Sequence, residues 1–359
     1  MGEGLVVDLG DLLRMVVDRD ASDLHLTVGL PPVLRINGRL QAVGEDALEP
    51  SDTRSLVYSV MSQGQRQQLE RDWEYDFAYS APGVARFRVN VYLQRSSVSA
   101  AFRLIPTAIR SFDSLGLPSI LGDLALRPRG LVLVAGPTGS GKSTTLASMI
   151  DHINTHESVH VITIEDPIEY LHHHKRSMVN QREVGSDTRT FGGALKYVLR
   201  QDPDVILIGE LRDLETMSAA LTAAETGHLV LATLHTQGAT QTIDRVIDVF
   251  PPHQQQQVRV QLAGSLQGVV SQQLLPRADG CGRVVAAEVM VPTPAVRNII
   301  REAKTQQLDT TMQTGDRYGM VTMDHALADL CRRGTITMEM AMSRAIDPDV
   351  LKGLVSKLG

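Results

Sequence analysis

The chain has 359 residues, 43% hydrophobic and 21% charged, with a net charge of −6. That length exceeds one ordinary core and predicts two or three domains, while the acidic balance argues against bulk nucleic-acid affinity, which shows as a basic domain or stripe. No apolar run approaches the roughly 18 residues of a membrane span, no basic-then-apolar leader opens the chain, and Cys281 and Cys331 lack the spacing of a metal or disulfide pair, so a cytoplasmic protein without direct membrane insertion is expected.

Leu9, Leu12, Leu13, Val16 and Val17 recur at helical spacing, and Asp23 to Val28 alternates like a strand. Val33 to Ile36 and Arg39 to Val43 flank Asn37-Gly38, a pair that accepts positive φ at both turn positions and predicts a hairpin. Helices are expected from Pro50 to about Met61 and on to about Arg71. Trp73 to Tyr79 alternates with four aromatics on one face. Ala81-Pro82-Gly83 turns the chain, and Arg86 to Tyr92 returns with Phe87, Val89 and Val91 opposite Arg86, Arg88 and Asn90. Ser97 to Leu104 completes a meander that ends near Arg103. Residues 1–105 thus read as a small α/β domain with an antiparallel sheet. Two prolines and Gly116 make 106–118 the expected linker and hinge.

From Ser119 the pattern becomes strands alternating with helices. Leu131–Ala135, His160–Ile164, Val205–Ile208 and Leu229–Leu234 are near-continuous apolar runs, as in a parallel sheet covered on both faces. Helices are expected near Ser143–Ile153, Thr190–Arg200 and Leu214–Thr226, with Gly227 ending the last. Val269–Leu275 and Arg283–Val291 would extend the sheet. Beyond Pro294 the chain reads as helical, over Ala295–Ala303, near Gln306–Thr314, and over Met323–Arg333 and Asp349–Lys357.

Between the first of these strands and its helix lies Gly136-Pro-Thr138-Gly139-Ser140-Gly141-Lys142-Ser143-Thr144. This G-x-x-x-x-G-K-S spacing lets the backbone wrap a phosphate, places Lys142 at the β- and γ-phosphates and makes Ser143 a magnesium ligand. The helix that follows adds its positive end. Acids are needed at neighbouring strand ends to hold magnesium and polarise water. Glu165, Asp166 and Glu169 end one strand. Glu210 ends another, where Gly209 occupies the position of the usual aspartate. His235 ends a third. His172-His173-His174 has no accompanying ligand spacing and reads as a polar loop.

These motifs resemble the secretion ATPases of type II secretion and type IV pili, and within them the branch that retracts pili. The resemblance runs over nearly the whole chain. It covers Ala21-Ser-Asp-Leu-His-Leu, Gly83-Val-Ala-Arg-Phe-Arg-Val-Asn90, the phosphate loop, Thr163-Ile-Glu-Asp-Pro-Ile-Glu169, Asn180-Gln-Arg-Glu-Val-Gly, Gly209-Glu210, and Thr226-Gly-His228 through His235. Ala295-Val-Arg-Asn-Ile-Ile-Arg-Glu302 is similar to a motif associated with retraction, with Val296 and Ile299 as departures. The resemblance implies a PAS-like N-terminal domain, a RecA-like P-loop ATPase core over 119–292 and a helical region over 293–359. It implies a homohexamer that uses ATP and Mg²⁺ at the cytoplasmic face of the inner membrane. Its partners would be a PilC-like platform protein and a paralogous retraction ATPase. It further implies Glu169 as the water-activating base, Glu210 as the magnesium residue, His228 and His235 as couplers of phosphate state, and Arg88, Arg103 and Arg245 as arginines reaching the nucleotide. The rival readings are an accessory retraction paralogue, an assembly or secretion ATPase, and a RecA-like nucleic-acid translocase.

Overall fold

The computed structural model describes residues 8–356, and the chain divides into two units between Thr107 and Ala108. The first unit opens with α1 (Leu9–Asp18), whose Asp8 cap accepts the Gly10 N–H and whose Leu9, Leu12, Leu13 and Val16 are buried. β1 (Ala21–Leu26), β2 (Val33–Ile36) and β3 (Arg39–Ala42) follow, then α2 (Pro50–Ser59), α3 (Gln63–Asp72), β4 (Glu74–Ala81), β5 (Ala85–Gln94) and β6 (Ser97–Ile105). The strands form one antiparallel sheet in the order β3-β2-β1-β6-β5-β4. Asn37 at φ 50° and Gly38 at φ 79° make the two-residue hairpin turn that twists with its strands. Phe87, Val89 and Val91 are fully buried against α1 and the helices of this unit, and the arginine face of β5 points away from that core.

Two sequence expectations change here. Trp73 is not the first aromatic of the β4 face. It caps α3 in a left-handed conformation, φ 67°, and stays 68% exposed, leaving Tyr75, Phe77 and Tyr79 on the core side. The second concerns the linker and hinge expected over 106–118: the units divide within it, and most of it is structured. From Ala108 it belongs to the second unit, where it forms α4 (Phe112–Leu115), buries Leu117 and has the Arg110 carbonyl accept the Ser148 hydroxyl at 2.7 Å.

After α5 (Ile120–Ala125) the second unit alternates: β7 (Gly130–Ala135), α6 (Lys142–His156), β8 (His160–Glu165), β9 (Met178–Glu183), α7 (Phe191–Val198), β10 (Val205–Ile208), α8 (Leu214–Glu225), β11 (Leu229–Leu234), α9 (Ala239–Asp248), α10 (Pro252–Ser265), β12 (Leu266–Pro276) and β13 (Arg283–Met290). The sheet runs β13-β12-β7-β11-β10-β8-β9, parallel throughout except for the β12–β13 hairpin. Successive residues of β7 feed opposite cores: Leu131 and Leu133 one, Val132 and Val134 the other. That is why the strand is apolar without alternation.

The helical remainder comprises α11 (Pro294–Arg301), α12 (Leu308–Gln313), α13 (Met323–Arg332), α14 (Met338–Arg344) and α15 (Pro348–Ser356). Lys357, the expected end of the last helix, lies outside the described residues. Helices α13 to α15 pack on Leu275 and Ala286 of the hairpin, while α11 and α12 join the core that contains Leu131 and Leu133, and all belong to the same unit as the sheet. Buried Glu288 on β13 ties the region there. One of its oxygens accepts the Ala239 N–H at the start of α9 (2.7 Å), and the other accepts the Met323 N–H at the start of α13 (3.2 Å). Burial pushes its carboxyl above the ordinary range, opposed by these two N–H donors.

Arg297, inside the motif over 295–302, has a local task. Its guanidinium donates to the carbonyls of Ala263, Gly264 and Leu266, the unsatisfied end of α10. Arg297→Ala is expected to destabilise the fold by about 1–3 kcal/mol, because those carbonyls lose a charged donor. A urea denaturation midpoint measures it, with Arg297→Lys falling between the two.

Candidate active site

The phosphate loop joins β7 to α6 and turns through three glycines with φ of 145° (Gly136), 77° (Gly139) and 91° (Gly141), a region that L side chains rarely adopt. At Gly136 the space is closed as well: a Cβ would stand 2.6 Å from Ser140 Oγ and collide with the Gln272 carbonyl. Lys142 folds back on the loop, its Nζ donating to the carbonyls of Gly136 (2.8 Å) and Pro137 (3.0 Å). Burial lowers its pKa, and the charges of Glu210 and Glu169 oppose that effect. The loop is therefore flanked by two carboxylates. Ser140 Oγ is buried without a hydrogen-bond partner among the described residues, and a ligand phosphate would supply one. Thr144 reaches Tyr170 at 2.8 Å. The Ser143 hydroxyl is half-buried in the first turn of α6, and Thr138 lies at the exposed crest of the loop.

Parallel register brings the three strand ends to one edge. Ala135 is level with Leu234, and Ile164 and Ile208 are level with Ala232, two residues earlier on β11. Glu210 follows β10 and holds Arg212 at 2.7 Å and His235 Nε2 at 3.3 Å. The Arg212 bond, then the His235 bond and charge, outweigh burial and keep its carboxyl below the usual range. Arg212 was not singled out from sequence; its only signal was standing two residues beyond a strand-end acid. Gly209 has a spatial reason. A Cβ there would sit 3.3 Å from both Glu165 Cα and the Ile164 carbonyl, so an aspartate would need this backbone to give by a few tenths of an ångström. Thr233 donates to the Gly209 carbonyl at 2.5 Å, tying β10 to β11.

Glu165 is already engaged. It accepts Thr163 Oγ1 (2.7 Å), Gln181 Nε2 (3.1 Å) and the Glu169 N–H, while burial pushes its carboxyl up. Glu169 is exposed and makes no hydrogen bond or ion pair with its side chain among the described residues. In the loop beyond, the His172 N–H donates to Gln181 at 2.8 Å, and its Nδ1 is buried and unpartnered. Burial drops the His172 pKa from 6.5 to about 4. A histidine lowered on folding stabilises above pH 6.5, and that stability drains away as pH falls towards 4. His172→Gln should therefore remove up to ~2 kcal/mol of the stability lost between pH 7 and pH 5, as read by urea unfolding at both pH values.

On the opposite flank of the loop, a cavity of about 800 Å³ is bounded by residues 110–117, the loop at Ser140 and Gly141, and the β12–β13 hairpin with Arg277 and Arg283. Gln272 stands between it and the phosphate loop. That buried amide, also missed from sequence, bonds Ser140 and Thr145.

Of four further expected site residues, two lie in this unit away from the loop and two belong to the first unit. His228 precedes β11, at the far end of the strand from the loop. Seven residues at about 3.3 Å each put it some 20 Å from His235, and its Nδ1 is engaged with the Ala223 carbonyl at 3.0 Å. Within one chain His228 thus stands away from the phosphate loop. Arg245 lies six residues into α9, about 9 Å down its axis, exposed and without a hydrogen bond or ion pair among the described residues. Arg88 and Arg103 are cross-strand neighbours in the first unit. Arg103 Nε pairs with buried Asp23 at 2.8 Å, and Arg88 Nε stands 4.0 Å from Asp76. Burial would raise Asp23, but Ser22 and Arg103 together hold it below the ordinary value.

The family model described as type II/IV secretion system protein matches residues 103–342. The chain is 49% identical over 343 residues to the type IV pilus retraction ATPase PilT of Pseudomonas aeruginosa, covering 96% of this chain and 99% of that one. It is 46% identical over 348 residues to the type IV pilus ATPase PilU of the same organism, covering 97% and 91%. Among solved structures it matches the crystal structure of the pilus retraction motor PilT with bound ADP, at a TM-score of 0.90 and 50% identity, covering 97% and 99%.

Proposed function

The chain belongs to the type II/IV secretion system protein family, and from that membership we propose that it is the ATPase motor that retracts type IV pili and so drives twitching motility. The observation that carries this reading is likeness over almost the full length of both chains to a retraction motor with bound ADP, joined to a complete phosphate loop.

The chemistry follows from the residues. Loop N–H groups and the start of α6 receive the phosphates. Lys142 exchanges its two carbonyl partners for phosphate oxygens, a change that burial favours because the amine gains a charged partner. Magnesium, when bound, would supply positive charge to offset that of the phosphates. Ser143 and the ionised Glu210 would hold it, and a carboxylate kept below its usual pKa is the right donor for such an ion. Glu169 orients and deprotonates water. His235, on the Glu210 carboxylate, registers what stands at the phosphate edge. The motor acts as a homohexamer on an inner-membrane, PilC-like platform protein, from the cytoplasmic face. No helix of the described residues is long and apolar enough to cross a membrane.

Pilus imaging in a deletion strain tests the reading. Retraction predicts surplus surface pili with twitching lost. Absent pili would instead make the protein an assembly ATPase. Surplus pili with twitching restored only when a second retraction ATPase is also supplied would make it an accessory motor, as its likeness to PilU allows.

A further inference from the structure

We propose that Gln272 is a positioning residue of the phosphate loop, a buried amide that locks the Ser140–Gly141 peptide in the orientation nucleotide binding needs. This rests on the ATPase reading above. Strand register brings it there. Ser271 of β12 pairs with Ala135 of β7, so the next residue on β12 comes level with Gly136, the first residue of the loop. The Gln272 side chain is 1% exposed and both ends of its amide are used. Nε2 donates to the Ser140 carbonyl at 2.8 Å, and Oε1 accepts Thr145 Oγ1 at 2.9 Å. The two bonds grip the loop just before Lys142 and the first turn of α6 just after it.

The Ser140 bond has a specific consequence. In a trans peptide the C=O and the following N–H point in opposite directions. Holding the Ser140 carbonyl toward β12 therefore aims the Gly141 N–H the other way, where loop amides gather around an anion. The peptide precedes a glycine at φ 91°, so its own backbone does little to resist rotation. A flipped peptide would present a carbonyl to a phosphate. The main-chain carbonyl of Gln272 meanwhile closes the space beside Gly136, and its Nε2 lies 3.2 Å from where a Cβ on Gly141 would sit. One residue thus shapes the loop at Gly136, Ser140, Gly141 and Thr145. Only an amide of this length offers one donor and one acceptor in that fork: a glutamate would set an oxygen against the Ser140 carbonyl, and a methionine would fill the space without bonding either partner.

The test is steady-state ATP hydrolysis by the full chain, with ADP affinity and melting temperature measured on the same samples. If the wild-type protein hydrolyses nothing, the ATPase reading fails and Gln272 is not the reason. If it does, Gln272→Met should raise the ATP KM by roughly tenfold or more, as expected for buried polar groups left unpaired, and weaken ADP in step, with kcat changed less. Thr145→Val should raise KM by a smaller factor, Thr145→Ser should restore it, and Gln272→Met with Thr145→Val should be no worse than Gln272→Met alone. A Gln272→Met protein with wild-type KM, even one that melts lower, overturns the proposal, as does full additivity of the pair. Should Gln272→Met not fold, the Thr145 pair decides: unchanged KM in Thr145→Val, or no restoration by Thr145→Ser, overturns it.

Discussion

A Lys142→Ala protein is expected to assemble as the wild type does and to lose ATP turnover by ~10²–10³-fold, the usual cost of removing a charge that meets developing negative charge in a dry site. The fold should tolerate the change. Lys142 is 9% exposed and its amine hydrogen-bonds only to two loop carbonyls, so its removal relieves a desolvated charge. The apo melting temperature should therefore stay the same or rise, while the stabilisation given by added ADP should shrink. Thermal melts with and without ADP check this beside the turnover assay. Turnover within a fewfold of wild type would remove Lys142 from the chemistry.

The second large effect concerns Glu169. Four acids stand near the loop, and the structure separates their circumstances. Glu165 is held by Thr163, Gln181 and a backbone N–H, and burial favours its protonated form. Glu210 is held ionised by Arg212 and His235. The charge of Asp166 bears on Arg212 and that of Glu169 on Lys142, and the Glu169 carboxylate is exposed and unengaged among the described residues. Only Glu169 combines charge near the lysine with freedom to take a water. Glu169→Gln should cut kcat by ~10²–10⁴-fold, the range for loss of a general base, with ADP affinity close to wild type. The contrast is Glu165→Gln. If that variant stops turnover and Glu169→Gln does not, the two roles are exchanged.

Much of this was legible in the sequence because strong patterns coincide with local necessity. The apolar runs at 131–135, 205–208 and 229–234 fall within one residue of β7, β10 and β11, since strands buried on both faces leave no polar gaps. The Asn37-Gly38 turn and the glycine loop were readable because few other residues tolerate those φ values. What escaped was decided by tertiary partners. β9 reads Met-Val-Asn-Gln-Arg-Glu, too polar to signal a strand, because it lies at the sheet edge and pairs on one side only. The glutamine run at 254–257 sits in the first turns of α10, whose other end depends on Arg297, distant in sequence. Gln272 and Arg212 belong to no motif. Their importance comes from what the fold sets beside them. His228 and His235 look equivalent in sequence, and only the direction of β11 separates them.

Glu288 joins two helices that the chain separates by more than one strand's length of sequence, and both of its oxygens are spoken for. Neither α9 nor α13 can shift alone without stranding a carboxylate oxygen or an N–H in an apolar interior, a cost of about 1–3 kcal/mol for each group. The segment just beyond His235 and the C-terminal helices are in this sense geared together, with no backlash between them.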